Sequence, residues 1–314
     1  MTFPGYRSQL YHLTPRTLLA AAVIACAPQA SAQTAAAAGA TPPGTAIALD
    51  EYVVSVARLP QEAAVLPIPV RIIPGEQLAA APTIDTALRD DPAFSLFRRN
   101  TSLSANPTAQ GVSLRGVGPS GASRTAVLLD EIPLNDPFGG WITWGQLPSL
   151  SLAGAEIAHG GGSGIWGSAA LGGTVALASA PLDDAAGAAS LQAGGDGFWR
   201  GEITHTARVG SDSVRIDARG ERFGGFHALR GADRGAVDRP LDHRHWLGQL
   251  TWRHPLPSEI DASLTLRGFR EDRGNGTVLQ ENATRLAHAA FALEGRDGAE
   301  PVWKAAGWVQ RQEY

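Results

Sequence analysis

The sequence is poor in cysteine, lysine and methionine. Its 314 residues contain one residue of each type, and the cysteine and lysine are Cys26 and Lys304. A single thiol near the N terminus gives the rest of the chain no disulfide and no cysteine-based metal site. The net charge of −4 is spread thinly along the chain. No basic patch or block of like charge indicates a nucleic-acid partner.

Long apolar runs and enzyme signatures are also missing. After residue 32 no stretch of 18 apolar residues predicts a membrane-spanning helix. The sequence has no H-E-x-x-H motif and no G-x-S-x-G motif. The glycine run 160–164 lacks the Gly-Lys-Ser/Thr ending of a phosphate loop, so it indicates a tight turn. We therefore predict no enzyme activity, no cofactor and no metal site.

The first 32 residues have the pattern of a secretory signal. Arg7 and Arg16 provide positive charge, Thr17–Ala27 is a short apolar core, and Ala30-Ser31-Ala32 is a cleavage site between Ala32 and Gln33. The alternatives are a buried N-terminal helix and a lipoprotein site ending at Cys26. The pattern predicts export of a chain that begins at Gln33.

The next segment indicates an extended peptide between two irregular stretches. Residues 33–48 are mostly Ala, Gly, Pro and Thr and are predicted to be a flexible leader. Residues 50–58 are rich in β-branched residues and precede Pro60, Pro67, Pro69 and Pro74. This segment suits a strand that pairs with another protein, although an ordinary first strand of a sheet is the alternative.

Residues 72–180 predict a compact α+β region with glycine-rich turns. A short helix is expected over Thr83–Leu88, with Thr83 or Asp85 near its cap. Short strands are expected at Val112–Leu114, Thr125–Leu129, Ser151–Ala158 and Thr174–Ala178.

Beyond residue 187 apolar and polar residues alternate, which is the pattern of strands. About seven strands are predicted, joined alternately by tight turns and by long polar loops such as 224–241 and 272–282. This arrangement is typical of an outer-membrane β-barrel. A soluble β-sandwich is the alternative, but its buried face would favour Val, Ile and Leu rather than the Trp, Ala and Gly found here.

Several motifs, in order and spacing, resemble the TonB-dependent outer-membrane receptor family. Leu114-Arg115-Gly116 is similar to its Arg-Gly motif, and Arg124–Asp130 is similar to its Arg-x-x-Val-Leu-Leu-Asp strand, followed by Ile132–Asp136. Ile165–Val175 is similar to its Tyr-Gly-Ser-x-Ala-x-Gly-Gly closing motif. Trp166 stands where the family has Tyr, and Glu131 stands where it has Gly.

The resemblance implies an α+β plug domain followed by an incomplete antiparallel transmembrane β-barrel. It divides the chain into signal 1–32, leader with TonB box 33–58, plug 59–183 and first barrel strands 184–314. The implied function is energy-coupled uptake of a scarce solute, such as an iron-siderophore or a cobalamin-like compound, across the cell outer membrane. The implied partners are the periplasmic protein TonB, outer-membrane lipid and the solute.

The resemblance also assigns residues to these roles. The TonB box would be Asp50, Glu51, Tyr52, Val53, Val54, Ser55, Val56 and Ala57, which would add a strand to TonB. The plug motifs contribute Arg115, Gly116, Arg124, Asp130, Gly167, Ser168, Gly172 and Gly173. The two arginines are expected to pair with acidic residues of the barrel wall, or else to lie in lumen water.

Two further expectations concern the outer end of the molecule. Asn135, Asp136, Trp141 and Trp144 are predicted to contribute to the solute site, with the two Trp as apolar contacts or, alternatively, packed on the barrel wall. His243 and His245 are the only close histidine pair, and a solvated loop is predicted for them in preference to a metal site.

Seven strands are too few to close around a plug, because plugged transporters use about 22. We therefore expect the chain to be a fragment of a longer receptor that neither inserts stably nor transports alone. The alternatives are a non-functional truncated fragment and a secreted β-rich binding module, which would purify without detergent.

Overall fold

The computed structural model describes residues 69–98, 100–117, 123–160, 162–183, 185–298 and 300–314. The predicted signal with its Ala32–Gln33 cleavage site, the leader and the predicted TonB box Asp50–Ala57 lie outside the described residues. Within the described ranges, no helix is both long enough and apolar enough to cross a membrane.

The first region, residues 69–183, is a mixed α/β fold built on a five-stranded sheet. The sheet order is β1-β6-β7-β4-β5, with β4 and β7 parallel and the other pairs antiparallel. A separate hairpin pairs β2 with β3. The elements are β1 Val70–Pro74, α1 Gly75–Ala80, α2 Ile84–Leu88, β2 Phe94–Leu96, β3 Val112–Leu114, β4 Thr125–Leu129, β5 Ile132–Pro133, β6 Leu152–Ala158, α3 Ser163–Trp166 and β7 Gly173–Ser179. The four strands and the helix predicted from the sequence are confirmed.

The core of this region lies between the sheet and the two short helices α1 and α2. Leu78 and Leu88 of the helices meet Ile73, Ile157 and Val175 of the sheet, and all five are buried. Strand β4 is buried at every position, which explains why its sequence is continuously apolar rather than alternating.

The second region is a seven-stranded antiparallel sheet in which each strand pairs with its neighbours in the chain. The strands are β8 Ala186–Ala193, β9 Trp199–Val209, β10 Asp212–Phe223, β11 His243–Leu256, β12 Ile260–Gly274, β13 Glu281–Asp297 and β14 Glu300–Glu313. The predicted number of strands is confirmed. The sheet is open, because β8 and β14 form its two edges and do not pair with each other in the part of the chain that the structure describes.

The connections of this sheet alternate in length. The turns at 210–211, 257–259 and 298–299 lie at one end, and the longer loops 194–198, 224–242 and 275–280 lie at the other. Outer-membrane barrels have short turns at the periplasmic end and long loops outside. We therefore call the end of the sheet with the longer loops the outer end.

Polar and apolar residues alternate along these strands, but the polar residues are buried and the apolar residues are exposed, which is the reverse of the pattern in a soluble protein. Arg215 and Asp217 of β10 are buried against the first region, whereas Ile216 between them is 56% exposed. On β11, His245 is buried and the adjacent Trp246 is 61% exposed. A β-sandwich would bury the apolar face, so this burial pattern rejects that alternative.

Two of the motifs that resemble the receptor family form turns in which the backbone is left-handed. Arg115 and Gly116 have φ of 58° and 68°, directly after β3, and Asp130 and Glu131 have φ of 50° and 72° between β4 and β5. Glu131 stands where the resembled family has Gly, and its positive φ explains that preference. The Asp130 carboxylate accepts hydrogen bonds from the backbone N–H and hydroxyl of Ser179, so it ties this turn to the end of β7.

Gly173 is a position where both the backbone angle and the surrounding atoms exclude a side chain. Its φ is 139°, and an added Cβ would lie 2.3 Å from the carbonyl oxygen of Ala158. We expect Gly173→Ala to lower the free energy of unfolding by about 3 kcal/mol, through backbone strain and overpacking. Urea unfolding of the full-length receptor that carries this chain, in detergent and followed by Trp fluorescence, measures this change. Gly164→Ala is the control, because nothing lies within 4 Å of its added Cβ, and an equal loss in both variants would contradict the assignment.

Candidate functional site: the interface of the two regions and its outer end

Cationic side chains of the seven-stranded sheet hold the first region by its main-chain carbonyls. Arg219 Nη1 donates to the carbonyl oxygen of Leu147 at 2.9 Å, and Arg215 Nη1 donates to that of Ala180 at 2.6 Å. The same kind of contact joins Arg200 to Ala81 and Pro82, Arg273 and His243 to Leu103, and Lys304 to Asp130. These cations of the sheet thus bind the backbone of the first region through its carbonyl oxygens.

Carboxylates balance these cations within the buried interface. Glu202 accepts from the Ser149 hydroxyl at 2.7 Å and from the Leu150 N–H at 3.0 Å, and it lies 3.7 Å from Arg219. Glu221 pairs with Arg200 on the neighbouring strand. Because buried charges are costly without partners, this network strongly favours one placement of the first region against the sheet.

The plug-motif arginines do not take part in this network. Arg115 and Arg124 are exposed, and the Arg115 guanidinium lies 3.5 Å from the carbonyl oxygen of His159 within its own region. Among the described residues neither forms an ion pair with an acidic residue of the sheet. The buried arginines of the interface are instead on the sheet, and their acceptors are on the first region.

The prediction of a solvated loop for His243 and His245 is wrong. Both residues begin strand β11, and both are buried and face Glu221. His243 Nδ1 lies 2.7 Å from the carbonyl oxygen of Leu103, and its Nε2 lies 2.8 Å from Glu221 Oε1. These two contacts hold the His243 ring between the backbone of the first region and Glu221 of the neighbouring strand.

The three buried residues Glu221, His243 and His245 offer ligand atoms within 4.8 Å of one another, a spacing that a metal could bridge. Their surroundings fit a hydrogen-bond network better. Arg200 already neutralises Glu221, and Arg219 Nε donates to His245 Nε2 at 3.2 Å. A divalent ion would add charge beside two buried guanidinium groups, so we assign no metal to this cluster.

The predicted solute residues lie at the outer end of the first region but have different roles. The Asn135 side chain accepts from Val127 N–H at 2.8 Å and donates to the carbonyl oxygens of Thr125 and Gly140. Its amide is therefore used internally to hold the apex loop, residues 134–143. The prediction that Asn135 contacts solute is not supported, because no polar atom of its side chain is left without a partner.

Asp136 and Trp144 are also structural. Asp136 is buried, and its Oδ1 accepts from the backbone N–H groups of Phe138 and Gly139, which shapes the loop. Its Oδ2 accepts from the Tyr314 hydroxyl at 3.0 Å, and burial raises the pKa of that phenol, so Tyr314 stays a neutral donor. Trp144 is 2% exposed in the core, so its prediction as a solute contact is wrong.

Trp141 is the predicted solute residue that reaches the surface. It packs edge-on against Tyr314 and against Phe138, with ring centroids 5.5 and 6.4 Å apart. Phe138 is 94% exposed at the tip of the loop. The sequence analysis did not include Phe138 among the solute residues. An aromatic residue between Pro137 and Gly139 in a polar turn does indicate an exposed apolar contact.

The interface network makes a prediction about stability. Arg219→Met removes the partner of Glu202 and the donor to two main-chain carbonyls, so we expect a loss of about 3–5 kcal/mol. Arg244→Met is the control, because its ion pair with Asp272 is exposed and is worth about 0–1 kcal/mol. Urea unfolding of the full-length receptor that carries this chain, read by Trp fluorescence and protease resistance, compares the two. Similar losses in both variants would contradict the role given to Arg219.

This architecture, an α/β region seated on the polar face of a β-sheet whose apolar face points outward, is that of a plugged β-barrel protein. Residues 63–174 match the family model described as the TonB-dependent Receptor Plug Domain. These residues are thus similar to the plug domain of the TonB-dependent receptors, and a seven-stranded antiparallel sheet follows them. That family consists of outer-membrane transporters and is not a family of enzymes.

Solved receptors share this fold at low sequence identity. The siderophore receptor PirA from Acinetobacter baumannii is 15% identical with a TM-score of 0.57, over 77% of this chain and 40% of that protein. A mutant of the ferric enterobactin receptor PfeA from Pseudomonas aeruginosa is 15% identical with a TM-score of 0.56, over 78% and 40%. The copper transporter OprC is 15% identical with a TM-score of 0.58, over 77% and 37%.

The chain therefore spans about 40% of the length of the solved receptors that it matches. No curated protein is similar enough in sequence to count as a match.

Proposed function

We propose that this chain is the plug and the first barrel strands of an outer-membrane receptor that takes up a scarce solute with energy delivered through TonB. The observation that carries the proposal is the inverted sheet. Its polar face binds a plug domain, and its apolar face, with Ile203, Ile216 and Trp246 exposed, suits lipid. The predicted signal peptide adds the export step that an outer-membrane location requires.

We also propose domain boundaries on this basis. The last strand of the plug, β7, ends at Ser179 and the first strand of the wall, β8, begins at Ala186. A boundary between residues 183 and 184 lies in this link. The signal 1–32 and the leader with TonB box 33–58 complete the division.

The energy-coupling contact is assigned to Asp50–Ala57. An extended peptide between a flexible leader and a proline-rich stretch can add a strand to an exposed sheet edge of TonB, and main-chain hydrogen bonds provide most of the affinity. The contact needs an extended backbone with free N–H groups more than it needs particular side chains.

Substitution within this segment tests the coupling. In the full-length receptor that carries it, we expect Val54→Pro to abolish uptake and to leave solute binding intact, because proline removes a donor from the paired strand. Val54→Ile keeps the donor and the extended preference and should transport normally. Uptake of labelled solute by cells, with binding measured on the same cells, separates the two steps. Normal uptake by the proline variant would reject the TonB box.

The names of the solved receptors do not decide the solute, since they include siderophore receptors and a copper transporter. An iron-siderophore or a cobalamin-like compound stays our proposal. The exposed Phe138 and the half-buried Trp141 at the outer end of the plug provide apolar contact area suited to the organic part of such a chelate.

The apex pair can be tested by affinity. Phe138→Ala and Trp141→Ala should each weaken solute binding by about tenfold, which is the effect of losing about 1.4 kcal/mol of contact. Asn135→Asp keeps the acceptor for Val127 and serves as a control for indirect effects of a disturbed loop. Equilibrium binding to cells that produce the receptor provides the measurement. Unchanged affinity in both aromatic variants would show that the pair packs for structural reasons only.

A further inference from the structure

A second feature at the outer end is a cavity away from the aromatic tip. Its volume is about 460 Å³, and it lies between the plug segment 100–109 and the hairpin that joins β12 to β13. Leu241 of the β10–β11 loop forms part of its wall. Ligand pockets have volumes of roughly 300–1,000 Å³, so this cavity can hold a substantial part of a small solute.

The lining is dominated by carboxamide side chains. Asn100, Asn106, Asn275, Gln280 and Asn282 all contribute, with Glu281 as the single ionised group. Among the described residues, no Arg, Lys, His or aromatic side chain lines the cavity. The site therefore offers neutral donors and acceptors and carries a slight negative charge.

Internal hydrogen bonds leave specific polar groups free for a ligand. Asn106 Oδ1 accepts from the Thr108 N–H at 3.1 Å and from the Thr108 hydroxyl at 2.9 Å, which leaves the Asn106 Nδ2 amino group as a donor. Asn275 Nδ2 donates to the Gln280 carbonyl at 3.2 Å and to Asn282. Asn275 Oδ1 is buried and accepts no hydrogen bond from the described residues.

We propose that this cavity binds an uncharged, hydroxyl- or amide-bearing group of the solute. The inference rests on the proposed uptake function and narrows its solute class. Carboxamides match hydroxyl and amide groups because each offers both a donor and an acceptor. The Asn106 amino group is free to donate to such a group, because only the Asn106 oxygen is used within the plug.

Two other ligand classes fit the lining poorly. A polyanionic iron chelate requires cationic partners, which the described lining lacks, and Glu281 would repel it. A bare soft metal ion requires thiolate, thioether or imidazole ligands, and the lining contains none among the described residues. The carboxamide chemistry thus selects neutral polar ligands.

The test uses the full-length receptor that carries this chain, in lauryldimethylamine oxide, a detergent without sugar groups. Maltotriose and a blocked neutral tripeptide are the neutral probes, and a ferric tris-catecholate is the anionic probe. Saturation-transfer NMR should show contact for at least one neutral probe. That signal should fall at least fivefold in Asn106→Asp, which keeps the acceptor for Thr108 but loses the donor, and in Gln280→Ala. Asp297→Asn, at the opposite end of β13 from the cavity, should leave it unchanged.

Circular dichroism and protease resistance establish that each variant is folded as the parent is. An absent neutral-probe signal, or one that both cavity variants leave unchanged, would overturn the proposal. Ferric tris-catecholate contact that depends on Asn106 would also overturn it, while leaving the uptake function standing. The Val54→Pro experiment tests the proposed uptake function separately, because it measures energy-coupled transport and not binding in the cavity.

Discussion

Burial of ionised side chains between the sheet and the plug is the constraint on which the rest of the structure depends. Arg219 and Glu202 lie in an interface with little access to water, where an unpaired charge would cost several kcal/mol. The plug satisfies them with main-chain groups as well as with side chains such as Ser149. Plug and wall consequently hold each other in place, and neither polar surface is satisfied without the other.

The same constraint accounts for the inverted alternation of the strands. A strand in this wall must present polar groups to the plug and apolar groups to the opposite side, and the period of two places them on alternate residues. Arg215 and Asp217 flank the exposed Ile216 for this reason. The three short turns at one end and the three longer loops at the other then follow from the antiparallel order of the strands.

The outer end combines two surfaces with different chemistry. The apex loop presents the exposed Phe138 and the half-buried Trp141, and the internally bonded Asn135 and Asp136 hold it in place. The carboxamide cavity lies between another plug segment and the β12–β13 hairpin. An organic solute with an apolar face and neutral polar groups would use both, whereas a small inorganic ion would use neither.

Features that depend on neighbouring residues were predictable from the sequence alone. The period-two alternation predicted seven strands, and turn residues located β3, β4 and β7, because these patterns act over a few residues. The motif resemblance predicted the plug, and the positive φ of Glu131 explains the glycine preference there. The tertiary structure decided the rest. His243 binds a carbonyl 140 residues away in the chain, and a carbonyl carries no signature in the sequence. Likewise only packing separates the buried Trp144 from the half-buried Trp141, because burial depends on which surfaces meet in space.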